Sequence, residues 1–430
     1  DGYLYNGKRI DRYNEVHEIV NGLETLENTV VLRYLDESKN VKYSFKFDYF
    51  EKVYFSVPIK KFASVNFNDP LYIVFSSGTT GAPKCIVHGV GGVLLQHAKE
   101  HKLHANIKEG DKVFYFSTCG WMMWNWLVGS LFSKATIILY EGSPFFDGPM
   151  KLWDLAENEN ITLFGTSAKY IDALRKSGYR PNLNKKLNHL KCLCSTGSPL
   201  SPEGFQFISQ HIKSDMQIGS ISGGTDILSC FVLNNPLDDV VSGEIQGIGL
   251  GMSVEVFDHN GVSITDEPGE LVCTKPFPSM PIMFWNDPDG KKYRDAYFNY
   301  YPNIWRHGDW TKITERGTLI IYGRSDATLN PGGVRIGTAE IYKVVENFDE
   351  VFESIVVGQE WEDDIRVILF VKLNDGSVLN QDLISKIKNT LKTQVSPRHV
   401  PAKIISIKDI PRTRSGKITE LAVRDIIHGK

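Results

Sequence analysis

Tyr72-Ile73-Val74-Phe75-Ser76-Ser77-Gly78-Thr79-Thr80-Gly81-Ala82-Pro83-Lys84 runs from an apolar stretch into a turn of small residues and ends on a cation. Leu71 to Phe75 read as a short, buried-type strand. Gly78 and Gly81 can take φ > 0 and let backbone N–H groups close on an anion. Ser76, Ser77, Thr79 and Thr80 add hydroxyl donors, and Lys84 adds a point charge. A loop of that make-up predicts a polyphosphate site. Most Ser/Gly turns bind nothing. Here hydroxyls, glycines and a lysine coincide directly after a strand. The loop is not a Walker A motif, which needs Gly-Lys-Ser/Thr and a helix at once. Pro83 precedes Lys84, and Cys85 follows it.

Outward from that loop, strand-like and helix-like stretches alternate. Strands are predicted at 71–76, 113–117, 135–140, 190–194 and 270–274, and helices at 91–103, 150–158, 167–177 and 201–213. The alternation predicts α/β architecture with largely buried sheets. Ahead of the loop, a helix is predicted near Tyr13–Leu23 and a strand over Thr29–Tyr34. The composition changes near Gly323. A compact unit of about 100 residues follows, with helix 338–347, strands 353–358 and 365–372, helix 381–393, strand 403–408 and helix 418–428. The expected fold is therefore a large multi-layer αβ domain over 1–323 and a small mobile α+β domain over 324–430. The joint falls at Gly323-Arg324-Ser325-Asp326, where small and polar residues leave the backbone free to turn.

A chain of 430 residues exceeds one ordinary domain. A formal charge of −3 gives no electrostatic case for nucleic acid or an anionic membrane. No signal peptide and no apolar run long enough to span a bilayer is seen. The six cysteines (Cys85, Cys119, Cys192, Cys194, Cys230, Cys273) form no Cys-x-x-Cys pair, which suggests reduced thiols in a cytoplasmic protein. Cys192 and Cys194 would share a strand face, and Cys85 and Cys119 read as packing residues.

The 72–84 stretch resembles the phosphate loop of the adenylate-forming enzymes, the superfamily of acyl-CoA synthetases, peptide-synthetase adenylation domains and luciferases. Four further segments match that superfamily's motifs in order. Ser222-Gly223-Gly224-Thr225-Asp226 is similar to a Thr-Glu motif, implying Thr225 on the α-phosphate and Asp226 on Mg²⁺; as a bare sequence it could be a turn aspartate capping a helix. Trp305-Arg306-His307-Gly308-Asp309 resembles a Thr-Gly-Asp segment, implying Asp309 on the ribose hydroxyls, with His307 a packed or solvated histidine in the threonine's place. Gly323-Arg324-x-Asp326, followed by Asn330 to Glu340, resembles the joint and first loop of the mobile domain. It implies Arg324 on ribose or phosphate, Asp326 as pivot, Gly333 at the thiol tunnel and Arg335 facing the adenylate phosphate. Pro411 to Ile418 resembles the closing motif, implying Lys417 as the lysine of adenylation; alone it would read as a solvated basic loop. Thr196-Gly197-Ser198-Pro199 is similar to the adenine wall, a weaker signal. Such enzymes activate a carboxylate with ATP and Mg²⁺ and pass it to coenzyme A. They usually carry a longer segment before the phosphate loop than the roughly 70 residues here, so the resemblance implies a chain truncated at its start.

The acid is expected to be small but larger than acetate. Acetate-specific relatives close the pocket with a tryptophan two residues before the motif threonine, where this chain has Gly223. Trp121, Met122, Met123 and Ser222 are the other expected pocket residues, the methionines as adaptable fillers. Gly120 to Trp126 could equally be an apolar core helix, the preferred reading for Trp126. Gly120 to Trp126 together with Ile221 to Asp226, and Tyr5-Asn6-Gly7-Lys8, resemble the branch that acts on acetoacetate, which implies acetoacetate as substrate. Rival readings are a ligase for another short or branched acid, a luciferase-like oxidase, or an inactive nucleotide-binding fragment. The oligomeric state is unread.

Overall fold

The computed structural model describes residues 1–35, 43–55, 57–76, 83–362, 364–412 and 418–430. Ser77, Gly78, Thr79, Thr80, Gly81 and Lys417 of the expected site lie outside the described residues.

The chain opens on a hairpin of β1 (Gly2–Tyr5) and β2 (Lys8–Asp11), then helix α1 (Tyr13–Gly22). Asn6 and Gly7 both have positive φ at the hairpin tip, the pairing that a tight antiparallel turn favours. The strand expected over Thr29–Tyr34 shrinks to Val30–Val31.

Strands β3 (Pro70–Ser76) and β4 (Lys84–Gly89) pair antiparallel, with Ser76 opposite Lys84. The expected buried character of the first is corrected. Leu71, Ile73 and Phe75 are exposed, because β3 is the edge of its three-stranded sheet and only one pleat faces the core. Helix α2 (Val90–Lys99) follows and passes into a π-helical turn, Glu100–His104.

The centre is a five-stranded parallel sheet of β5 (Lys112–Tyr115), β6 (Thr136–Ile138), β7 (Leu163–Ser167), β8 (Cys192–Thr196) and β9 (Gln217–Ser220), in the order β9-β8-β7-β5-β6. Its crossovers carry helices α3 (Met123–Gly129), α4 (Lys151–Asn158), α5 (Ala168–Lys176) and α6 (Pro202–His211). Parallel strands need such crossovers and are covered on both faces. On one face Phe114, Trp153, Phe164, Ile171 and Phe205 form a core, with the Trp153 and Phe164 rings stacked 4.6 Å apart. On the other, Tyr115, Met123, Trp126, Cys192, Cys194 and Cys230 pack together. Cys192 and Cys194 do share a face, their sulfurs 3.7 Å apart. Cys119, expected to pack, is exposed.

Past this sheet the chain turns antiparallel. Strands β10 (Ser222–Gly224), β11 (Ser229–Leu233) and β12 (Gly247–Ile248) form one small sheet. A second combines Val254–Phe257, Gly269–Cys273, β13 (Trp305–Ile313) and β14 (Leu319–Arg324). The strand expected at 270–274 belongs to this antiparallel sheet. The C-terminal stretch has helix α7 (Thr338–Val345), β15 (Val351–Trp361), β16 (Asp364–Leu373), α8 (Gln381–Gln394), β17 (Lys403–Ser406) and α9 (Glu420–Ile427). Its own core joins Ile341, Val356, Leu369, Ile387 and Leu391. Among the described residues no helix is long and apolar enough to cross a membrane.

Candidate active site

Lys84 starts β4 on the pleat that faces inward. Its ammonium forms an ion pair with Asp226 Oδ1. Tyr297 donates from its hydroxyl to the same oxygen at 2.5 Å, and the Tyr297 ring stacks on Trp305 at 3.7 Å. Burial alone would raise the Asp226 carboxyl. The charge of Lys84 and the hydrogen bonds from Lys84 and Tyr297 outweigh it and hold the group well below the usual carboxylate range. Burial and the adjacent Asp226 push the Tyr297 phenol far above its ordinary value, so it stays a donor.

Thr225 and Asp226 sit in the turn joining β10 to β11, where Ile227 N–H bonds to Gly224 O at 3.2 Å. Gly224 brings this hairpin against β13: a Cβ there would lie 3.4 Å from His307 Cε1. His307 is buried, edge-on to Phe231, and its Nε2 is 3.6 Å from Asp309 Oδ2. Burial lowers its pKa despite Asp309, so it is a packed neutral ring. Asp309 and Arg324 are opposite each other in the β13–β14 register. Arg324 Nη1 lies 3.2 Å from Asp309 Oδ1 and 3.0 Å from His307 O. Gly308 has φ +86°, and any side chain there would meet the Arg324 guanidinium. Asp326, the expected pivot, is a second carboxylate near Arg324, at 3.5 Å.

Gly197, Ser198 and Pro199 follow β8 at the C-terminal edge of the parallel sheet, the edge where open α/β sheets bind ligands. Thr196 Oγ1 donates to Ile221 O at 2.8 Å, tying this turn to the start of the 222–226 hairpin. A Cβ on Gly197 would stand 3.8 Å from Trp121, so the expected adenine wall and pocket residue adjoin. Met122 and Trp121 are half-buried beside Met123, which is itself sunk in the core. Trp126 is core as expected, its indole N–H on Glu100 Oε2 at 2.9 Å. Ser222 is half-buried and opposite Val232.

The expectation that Gly223 leaves an open volume is corrected. A Cβ there would collide with Ser229 O and come within 2.6 Å of Cys230 Cα. The space beside Gly223 is filled by the backbone of β11, not left open by a missing indole.

Gly333 ends a short 3-10 turn, Pro331–Gly333. Arg335 is exposed and lies over the Trp310 ring at 5.1 Å, next to Asp309 in sequence. Arg412 and Ile418, on either side of residues 413–417, bridge each other, and Arg412 pairs with Glu353. Glu353 also meets Lys169 of α5. Lys176 donates to Val351 O and Phe352 O at 2.9 and 3.0 Å, so α5 carries the C-terminal stretch.

Among the described residues no group of three or more His, Cys, Asp or Glu could hold a metal. Mg²⁺ often takes one or two protein carboxylates with phosphate and water completing its shell, and the half-buried Asp226 carboxylate is one such group. The residues present fit that cation on those terms. Tyr297, 71 residues from Asp226, was not singled out by sequence, and nothing in its surroundings marked it.

Residues 7–281 match the family described as AMP-binding enzyme, and 340–417 match the AMP-binding enzyme C-terminal domain. The chain is 55% identical to acetoacetyl-coenzyme A synthetase of Rhizobium meliloti (strain 1021) over 100% of its own length and 66% of the relative's. It is 44% identical to acetoacetyl-CoA synthetase of Gallus gallus, again over 100% and 66%. The solved structure of acetoacetyl-CoA synthetase from Streptomyces lividans superposes with a TM-score of 0.94 at 43% identity, over 100% of this chain and 66% of that one. The chain thus spans 66% of the length of these relatives.

Proposed function

Since the chain belongs to the AMP-binding enzyme family, we propose that the protein activates acetoacetate with ATP as an acyl-adenylate and transfers it to coenzyme A, giving acetoacetyl-CoA, AMP and pyrophosphate. The relatives named for that activity support the choice of acid. The observation that carries the reading is the Lys84–Asp226 pair set beside Asp309 and Arg324.

In this reading Ser76 to Gly81 and Lys84 take the β- and γ-phosphates, Thr225 the α-phosphate, and Gly197, Ser198 and Pro199 the adenine. Asp309 accepts from the ribose diol, with Arg324 near the same sugar or phosphate. Asp226 would hold Mg²⁺, which when bound neutralises charge between two approaching anions. Lys84 and Asp226 neutralise each other. Lys84 would give its charge to a bound phosphate, and the Asp226 carboxylate would be free to hold Mg²⁺, so that each half-buried charge would keep a partner of opposite sign.

An acetoacetate oxygen attacks the α-phosphorus, the bond to the β-phosphate oxygen breaks, and pyrophosphate leaves. Lys417 clamps the mixed anhydride between carboxylate, phosphate and ribose. The 324–430 domain then turns at Asp326 on the 1–323 domain and withdraws Lys417. The Gly333 loop admits the CoA thiol, Arg335 faces the phosphate, and the sulfur displaces AMP from the acyl carbon. Trp121, Met122 and Ser222 border the acid. Six cysteines without a disulfide support a reducing cytoplasmic setting.

ATP–pyrophosphate exchange on the full-length protein tests the acid. Acetoacetate is expected to support exchange at least about tenfold faster than acetate or butyrate, a difference of about 1.4 kcal/mol in barrier. Equal rates across the panel would contradict acetoacetate as substrate.

A further inference from the structure

We propose that His88 is a positioning residue for the Thr225–Asp226 turn, its Nε2–H holding the Thr225 carbonyl and thereby the direction in which both side chains leave the backbone. This rests on reading Thr225 and Asp226 as the phosphate and metal contacts.

Lys84 and His88 are four residues apart on β4, so they stand on one pleat. The first grips the Asp226 side chain. The second, fully buried, places Nε2 at 3.2 Å from Thr225 O and Nδ1 at 3.2 Å from Ser279 O. Fixing a carbonyl fixes the whole peptide plane between Thr225 and Asp226.

The far end of the turn is clamped from the next helix. His97 Nε2 bonds Leu228 O at 2.8 Å. Glu100 accepts from Ser229 Oγ and from Cys230 N, the latter at 3.2 Å. Leu228 has φ +50°, a conformation that a branched residue keeps only when its surroundings enforce it. The segment from Lys84 to Glu100 therefore holds the turn at Thr225, Asp226, Leu228 and Ser229. His88 is the contact that fixes the end carrying the chemistry.

Burial lowers the His88 pKa to about 4, so the ring is neutral near pH 7 and has one N–H. It can donate to Thr225 or to Ser279, not to both. Two amide substitutions separate these contacts. In His88→Gln the amide nitrogen falls near the Nε2 position, toward Thr225. In His88→Asn it falls near Nδ1, toward Ser279.

The test is ATP–pyrophosphate exchange on the full-length protein, with melting temperatures and Asp226→Asn as reference. His88→Gln is expected to keep the maximal rate within about threefold of the native protein. His88→Asn is expected to lose tenfold or more in maximal rate, with the KM for the acid unchanged and a melting temperature close to that of the Gln variant. Equal loss in both variants, by misfolding or otherwise, would overturn the proposal, as would loss in neither. Full exchange in Asp226→Asn would instead overturn the reading of the turn on which it rests.

Discussion

Asp226 receives a cation and a phenol on one oxygen. Its folded-state pKa lies below the ordinary 3.8, so the unfolded chain binds that proton more tightly. The contribution to stability is complete above about pH 4 and is lost as the pH falls toward the folded value. The stability difference between the native protein and Asp226→Asn, measured by urea unfolding, should stay level from about pH 7 to about pH 5 and shrink below about pH 4. A difference that does not vary with pH would contradict the ion pair. Lys84 and Asp226 were readable in the sequence because each belongs to a motif with a chemical requirement. Tyr297 was not, because a lone tyrosine on a short helix, Lys291–Tyr297, carries no spacing signal.

Among the elements, the β10–β11 hairpin shows where a sequence argument about volume fails. A glycine in place of a bulky residue suggests space, but space depends on where the missing Cβ would point. At Gly223 it points into the backbone of β11. Gly223→Ala should therefore destabilise by about 1–3 kcal/mol, as overpacking does, with the acid preference unchanged. Thermal and denaturant unfolding beside the acid panel would check this. A variant of native stability with a shifted preference would restore Gly223 to the pocket. The crossover helices α4, α5 and α6 were legible in the sequence, each within a few residues, whereas α3 was open only as the alternative reading of Gly120 to Trp126. The opening hairpin has a turn signal in Asn6-Gly7, but its strands are four residues each and carry no apolar run to mark them. Strand β4 was missed because its apolar run holds Lys84 and His88, whose partners lie 142 and 137 residues away.

At the scale of the whole molecule, two cores lie on the faces of the parallel sheet and another fills the C-terminal stretch. Helix α5 joins the sheet's layer to that stretch through Lys169, Arg175 and Lys176, with Arg175 bonding Asn347 Oδ1 at 3.1 Å. These are polar contacts to side chains and strand-end carbonyls, of the kind that open at lower cost than a shared apolar core. In the proposed mechanism that suits a stretch that holds in one step and releases in the next. The sequence showed the change of composition near Gly323 but not the latch, since its partners are about 170 residues apart.

In the proposed mechanism Lys417 serves the first half-reaction and leaves before the second. Lys417→Ala in the full-length protein, assayed separately for acyl-adenylate formation from ATP and acetoacetate and for thioester formation from supplied acetoacetyl-adenylate and CoA, tests it directly. Adenylate formation is expected to fall by about a hundredfold or more, about 2.7 kcal/mol, while thioester formation stays near the native rate. Equal loss in both halves, or loss only in the second, would contradict it.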